Sequence, residues 1–147
     1  MTISLRPITK ENWEQCIELQ LHKDQEPFMA SNLYSIAEVQ FLEDFEAMGI
    51  YFEEAMVGFT MYGVDPDDDN YWIYRLMIDK DHQGKGYAKQ ALYQLIQRLG
   101  TERKSNLIYV GYHPSNEAAH QLYSRVGFAP KGEAPWGELL ACYTLSQ

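Results

Sequence analysis

The stretch Leu76-Met77-Ile78-Asp79-Lys80-Asp81-His82-Gln83-Gly84-Lys85-Gly86-Tyr87-Ala88 decides the fold, because it runs an apolar strand through a glycine loop into an amphipathic helix. Gly84 and Gly86 let the main chain turn with no side chain in the way, so successive N–H groups can point inward at the positive end of the helix dipole. Such a loop builds an anion site from backbone alone, with room for a pyrophosphate.

Two common phosphate signatures do not fit this loop. No Gly-Lys-Ser/Thr follows, as a Walker loop requires, and the third glycine and early βαβ position of a dinucleotide fold are missing. What the residues do spell is Gln-x-x-Gly-x-Ala from Gln83 through Gly86 to Ala88, and later Asn116-x-x-Ala119-x-x-Leu122-Tyr123-x-x-x-Gly127-Phe128. Together these resemble the GNAT N-acetyltransferases. A first strand at Ile3 to Arg6 and a terminal strand at Glu138 to Leu145 extend the resemblance over nearly the whole chain. Around Gln25, Phe28, Ala30, Asn32, Ser35, Ala37 and Glu38 the chain looks like the bacterial spermine/spermidine acetyltransferase branch. The resemblance implies one α/β GNAT domain over residues 1–147, with a mixed, mostly antiparallel sheet, flanking helices and a splayed cofactor cleft between strands 4 and 5.

Bulk properties agree with one globular domain. A chain of 147 residues, 46% hydrophobic and 22% charged, can bury a single core. A formal net charge of −9 argues against nucleic acid, whose binding draws on clustered Lys and Arg, and permits a cationic substrate. Cys16 and Cys142 lie among apolar neighbours without metal-type spacing to each other or to His22, His82, His113 and His120, so buried thiols and no metal are expected. Met1 to Leu5 lacks a signal peptide's basic and apolar regions, and no run reaches membrane-spanning length, so a cytoplasmic location without membrane association is expected.

Local signals place the remaining elements. Thr9 is positioned to cap a helix carrying Trp13, Cys16, Ile17 and Leu21 and ending near His22. Ser35-x-x-Glu38 reads as a capping box, with Tyr34 and Val39 as its staple, opening a second helix that runs to about Met48 and stops at Gly49. Ile50 to Glu53 and Val57 to Val64 then read as a hairpin, Asp65 to Asn70 as a solvated turn, and Tyr71 to Ile78 as a central strand covered on both faces. The acidic turn lacks the full ligand pattern of a calcium loop. A helix with Ala88, Ala91, Leu92, Leu95 and Leu99 on one stripe ends at Gly100, Leu107 to Tyr112 is a strand, and a last helix runs from Ser115 or Asn116 to Gly127.

The resemblance also implies where the chemistry sits. Acetyl-CoA, the cosubstrate, would lie along Leu76, Met77 and Ile78, whose splayed backbone can pair with the amides of the pantetheine arm, and the N–H of Met77 or Ile78 can hold the thioester oxygen. Gln83, Gly84, Lys85, Gly86, Tyr87, Ala88 and Lys89 would surround its pyrophosphate, and Asn116 its arm. Tyr123 would act as general acid toward the departing thiolate, since a phenol with a pKa of about 10 stays protonated at neutral pH. An alkyl ammonium must lose a proton before it attacks, which costs about 4 kcal/mol at pH 7. Eukaryotic-type polyamine acetyltransferases carry a carboxylate just before the cofactor-binding part of strand 4; here Tyr74 and Arg75 stand instead, leaving the base unassigned. Asp24, Glu26, Glu133 and Glu138 are candidate ligands for a polyamine's ammonium groups. Alternative acceptors are a protein N-terminus, a lysine or an aminoglycoside amine, and an acyl-CoA-binding sensor without chemistry is the rival class. Many relatives are homodimers.

Overall fold

The structure, a computed structural model, describes residues 2–145. Met1, part of the N-terminal stretch read above for a targeting signal, lies outside those residues, as do residues 146 and 147.

Seven strands form one sheet in the order β1-β2-β3-β4-β5-β7-β6: β1 Ile3–Pro7, β2 Phe45–Phe52, β3 Ala55–Val64, β4 Tyr71–Ile78, β5 Leu107–Tyr112, β6 Ala129–Glu133 and β7 Leu139–Thr144. Every neighbouring pair is antiparallel except β4 and β5. The parallel pair is joined by the crossover helix α3, Tyr87–Glu102, as a parallel connection requires. Leu92, Leu95 and Leu99 of α3 are fully buried against Ile73, Leu76, Ile108 and Val110, and the last helix, α4 Glu117–Val126, joins the same core through Tyr123 and Val126. Two short helices, α1 Trp13–Glu18 and α2 Asn32–Val39, cover the other face, where Cys16, Phe59, Met61 and Met77 form a second core. The expected central strand at Tyr71 to Ile78 therefore has an apolar layer on each side. No described helix is long and apolar enough to cross a membrane.

Several expected boundaries are corrected. Helix α1 ends at Glu18 rather than near His22, and its N-cap is Asn12; Thr9 instead accepts from the N–H of Glu11 ahead of the helix. Helix α2 starts earlier and stops earlier than expected. Its cap is Ser31, whose Oγ accepts from the N–H of Tyr34 at 3.0 Å, while Tyr34 is 60% exposed and staples nothing. The chain from Phe45 onward is strand, and Gly49, expected to end the helix, sits within β2 opposite Phe59 and Arg6. Edge pairing on both sides won over the helical periodicity, because β2 satisfies two ladders of backbone groups at once. Helix α3 runs through Gly100 to Glu102 and closes on Arg103 in the left-handed region, with the N–H of Arg103 on the Leu99 carbonyl. The acidic segment Asp65 to Asn70 is a turn, held by the N–H of Asp65 on the Asn70 carbonyl at 2.9 Å.

Candidate active site

Strand β4 carries the irregularity that opens the molecule. Its pairing with β3 slips between Met61 and Tyr62, where Met61 faces Arg75 and Tyr62 faces Ile73, so Tyr74 is an extra residue. A bulge of this kind bends a strand and increases its twist. Pairing with β5 covers only Tyr71, Trp72 and Ile73 and stops at the bulge, so from Tyr74 to Ile78 the β5-side edge has no strand partner. Past that point β5 and the end of β4 diverge around a cavity of about 610 Å³.

Arg75 anchors the bulge. Its Nη2 lies 2.8 Å from Glu38 Oε1 and its Nε donates to Ser35 Oγ at 2.9 Å, tying β4 to α2. Ser35 and Glu38, expected to cap a helix, are one turn apart on α2 and grip a guanidinium instead. The legible signal was a lone arginine in an otherwise apolar strand: such a charge is buried only with partners.

One wall of the cavity is Leu76, Met77 and Ile78 of β4. The floor is the loop, with Gln83, Gly84 and Gly86, leading into Tyr87, Ala88 and Lys89 on the first turn of α3. Gly84 and Gly86 both adopt positive φ, 79° and 82°, a region that a side chain at either position would strain. Gly86 is the N-cap and has no side chain to satisfy the first-turn N–H groups of α3. Those donors and the dipole's positive end therefore open toward the cavity. Lys85 is exposed and outside the lining, whereas Lys89 is part of it. The ring of Tyr87 stacks on Phe52 at 5.0 Å.

The opposite wall comes from α4. Asn116 caps that helix, its Oδ1 accepting from the N–H of Ala119 at 3.1 Å, which leaves its amide N–H groups for a ligand. Tyr123 is 8% exposed, packed between Tyr112 at 5.9 Å and Phe128 at 5.2 Å. Its hydroxyl has no protein hydrogen-bond partner among the described residues, and it lines the cavity. Burial, with a smaller effect from Tyr112, pushes its pKa above the ordinary phenol value. It is a proton donor held neutral beside open space.

Glu138 also lines the cavity, and the Trp136 indole N–H donates to its Oε1 at 2.7 Å. Gly111 makes room for it: a Cβ there would meet Glu138 Oε1 at 2.8 Å. Asp24, Glu26 and Glu133 are exposed and do not line the cavity. The Cys16 thiol is buried and pushed up to about 12, which keeps it protonated and unreactive. Among the described residues no group of three or more His, Cys, Asp or Glu is placed to hold a metal ion.

The bulged end of β4, the start of α3 with no side-chain cap, and Tyr123 of α4 thus line one cavity. The family model for the acetyltransferase (GNAT) family matches residues 8–128, and the chain belongs to that family. It is 34% identical over 139 residues to a probable spermine N(1)-acetyltransferase of Bacillus subtilis subsp. natto (strain BEST195), covering 90% of this chain and 91% of that protein. A spermine/spermidine N(1)-acetyltransferase of Bacillus subtilis (strain 168) is 33% identical with the same coverage. Among solved structures, a spermidine N-acetyltransferase from Vibrio cholerae in complex with CoA and spermine superposes with a TM-score of 0.77 at 15% identity, covering 98% of this chain and 96% of that one. The protein is an acetyltransferase.

Proposed function

We propose that this acetyltransferase moves an acetyl group from acetyl-CoA to a primary amine of a polyamine such as spermidine or spermine, by direct attack with both substrates in the cleft. The observation that carries the reading is the convergence of three features on one cavity: the unpaired edge of β4 after Ile73, the uncapped start of α3, and the hydroxyl of Tyr123, which has no partner among the described residues. Each fits a different part of the donor. First-turn N–H groups of α3 suit a pyrophosphate, and the free β4 edge offers main-chain groups to the amides of a pantetheine arm. The N–H of Ile78, which points to the free edge, is then the donor for the thioester oxygen as negative charge develops on it, whereas Met77 turns its main-chain groups to β3. Tyr123 gives its proton to the departing sulfur, and the proton that the attacking nitrogen sheds is taken up by a carboxylate or a water chain. Neither Cys16 nor Cys142 lines the cavity, in keeping with direct attack and no covalent enzyme intermediate.

The polyamine assignment is supported by the relatives' names and by a carboxylate in the cleft. Glu138 is part of the lining, oriented by Trp136, and it suits an ammonium group of the acceptor. Asp24, Glu26 and Glu133 stand outside this recognition set. Steady-state rates across an amine panel, with products read by mass spectrometry, test the reading. Monoacetylated spermidine or spermine is expected as the best product; turnover of an N-terminal peptide or an aminoglycoside without turnover of either polyamine overturns it.

A further inference from the structure

The segment between α1 and α2 is fastened to the anion loop by side-chain and backbone bonds that the chemistry above does not use. Gln25 and Gln83 pair their carboxamides reciprocally: Gln25 Nε2 donates to Gln83 Oε1 at 3.1 Å, and Gln83 Nε2 donates to Gln25 Oε1 at 3.0 Å. Gln83 Nε2 also donates to the carbonyl of Ile78 at 2.9 Å, at the end of β4. Gln25 Oε1 accepts a second bond from the N–H of His22 at 3.1 Å, closing the turn that begins the segment. A few residues earlier Gln20 is bound twice, its N–H donating to Asp79 Oδ1 at 2.8 Å and its carbonyl accepting from the N–H of Lys80 at 2.7 Å.

The two sides joined by this pair face different substrates. Gln83 begins the glycine loop, whose backbone donors lead into α3. Gln25 sits at the head of the 3-10 turn Glu26–Phe28, and the next residues, Phe28, Met29 and Ala30, line the cavity. The segment is otherwise held by apolar packing, Phe28 on His113 at 5.2 Å and Leu21 and Met29 against the second core, so the carboxamide pair is its side-chain hydrogen-bond link to the glycine loop. We propose that Gln25 is a positioning residue which, through Gln83, couples the acyl-donor site to the acceptor wall, so that coenzyme A and a polyamine each tighten the other's binding. The inference rests on the reading of the cleft given above. Ordering the glycine loop around a pyrophosphate fixes Gln83, a fixed Gln83 holds Gln25, and Gln25 holds the wall that the amine meets. Linkage makes the effect reciprocal: the factor by which spermidine lowers the Kd of coenzyme A equals the factor by which coenzyme A lowers that of spermidine.

Calorimetry of coenzyme A binding with and without saturating spermidine tests this, because coenzyme A carries no acetyl group and the ternary complex cannot turn over. The intact protein is expected to bind coenzyme A at least about fivefold more tightly with spermidine present. In Gln25→Ala, and equally in Gln83→Ala, the factor should fall toward one, and combining the two changes should cost no further coupling. Gln25→Glu keeps the acceptor for Gln83 and His22 but cannot donate back, and an intermediate factor is expected; it replaces the alanine variant if that variant does not fold. A wild-type factor near one, or a full factor in folded Gln25→Ala, overturns the coupling while leaving acetyl transfer intact. Failure of the intact protein to bind coenzyme A at all overturns the coupling together with the functional reading.

Discussion

Tyr123 is legible in the sequence as part of Asn116-x-x-Ala119-x-x-Leu122-Tyr123, yet on an amphipathic helix an aromatic beside a leucine is most often plain core packing. The fold gives it both properties: the ring is packed on two aromatic neighbours, and the hydroxyl reaches the cleft. Removing that hydroxyl in Tyr123→Phe leaves the packing in place. We expect kcat to fall by about 10²–10⁴-fold while the Kd of coenzyme A stays nearly unchanged, since a general acid acts in the transition state. The pH profile follows from the direction of its shift. Burial favours the neutral phenol, so the protonated, competent form persists to higher pH than in a free tyrosine, whereas the amine becomes reactive as pH rises toward its pKa of about 10. kcat/KM for spermidine should climb from pH 7 to 9 without a descending limb in that interval. A descending limb below pH 9 that persists in Tyr123→Phe would assign the essential acid to another group.

At the scale of elements, β4 does two jobs that a regular strand cannot combine. Up to Ile73 it pairs on both sides and holds the sheet together; beyond the bulge at Tyr74 it pairs on one side and leaves the other edge open to the cavity. Its remaining partner is held unusually close. A Cβ on Gly58 of β3 would come 2.3 Å from the Met77 carbonyl and 2.8 Å from Ile78 Cδ1, so β3 can approach the ligand-facing end of β4 only with glycine there. Gly58→Ala is therefore expected to cost about 1–3 kcal/mol in a denaturant titration. It should also weaken coenzyme A binding by calorimetry, because the displaced backbone is the cleft wall itself. Loss of stability with unchanged affinity would separate the wall from the site.

At the scale of the whole molecule, charge bears on the substrate. The formal net charge of −9 gives the protein a negative long-range field, which on the reading proposed above attracts a cationic acceptor and repels an anionic acyl donor. Screening reaches distances of about 10 Å at 0.1 M salt. Raising ionic strength from about 0.02 to 0.3 M should increase the KM for spermidine severalfold and leave that for acetyl-CoA equal or lower. An acceptor KM insensitive to salt would make the acidic surface a matter of solubility alone.

The sequence by itself determined the strand, glycine loop and helix at residues 76–88 and the bounds of β4 and β5, because each depends on local backbone chemistry. It misread Phe45 to Met48 as helix and Ser35 and Glu38 as a capping box. Those outcomes depend on partners far along the chain: β1 and β3 for the strand, and Arg75 for the side chains. The same distance explains why four candidate carboxylates were read as equals and only Glu138 lines the cleft, and why Gln25 meets Gln83 across 58 positions. Periodicity and caps report what a segment can form on its own. Which groups meet is decided only when the sheet closes and burial forces each polar group to find a partner.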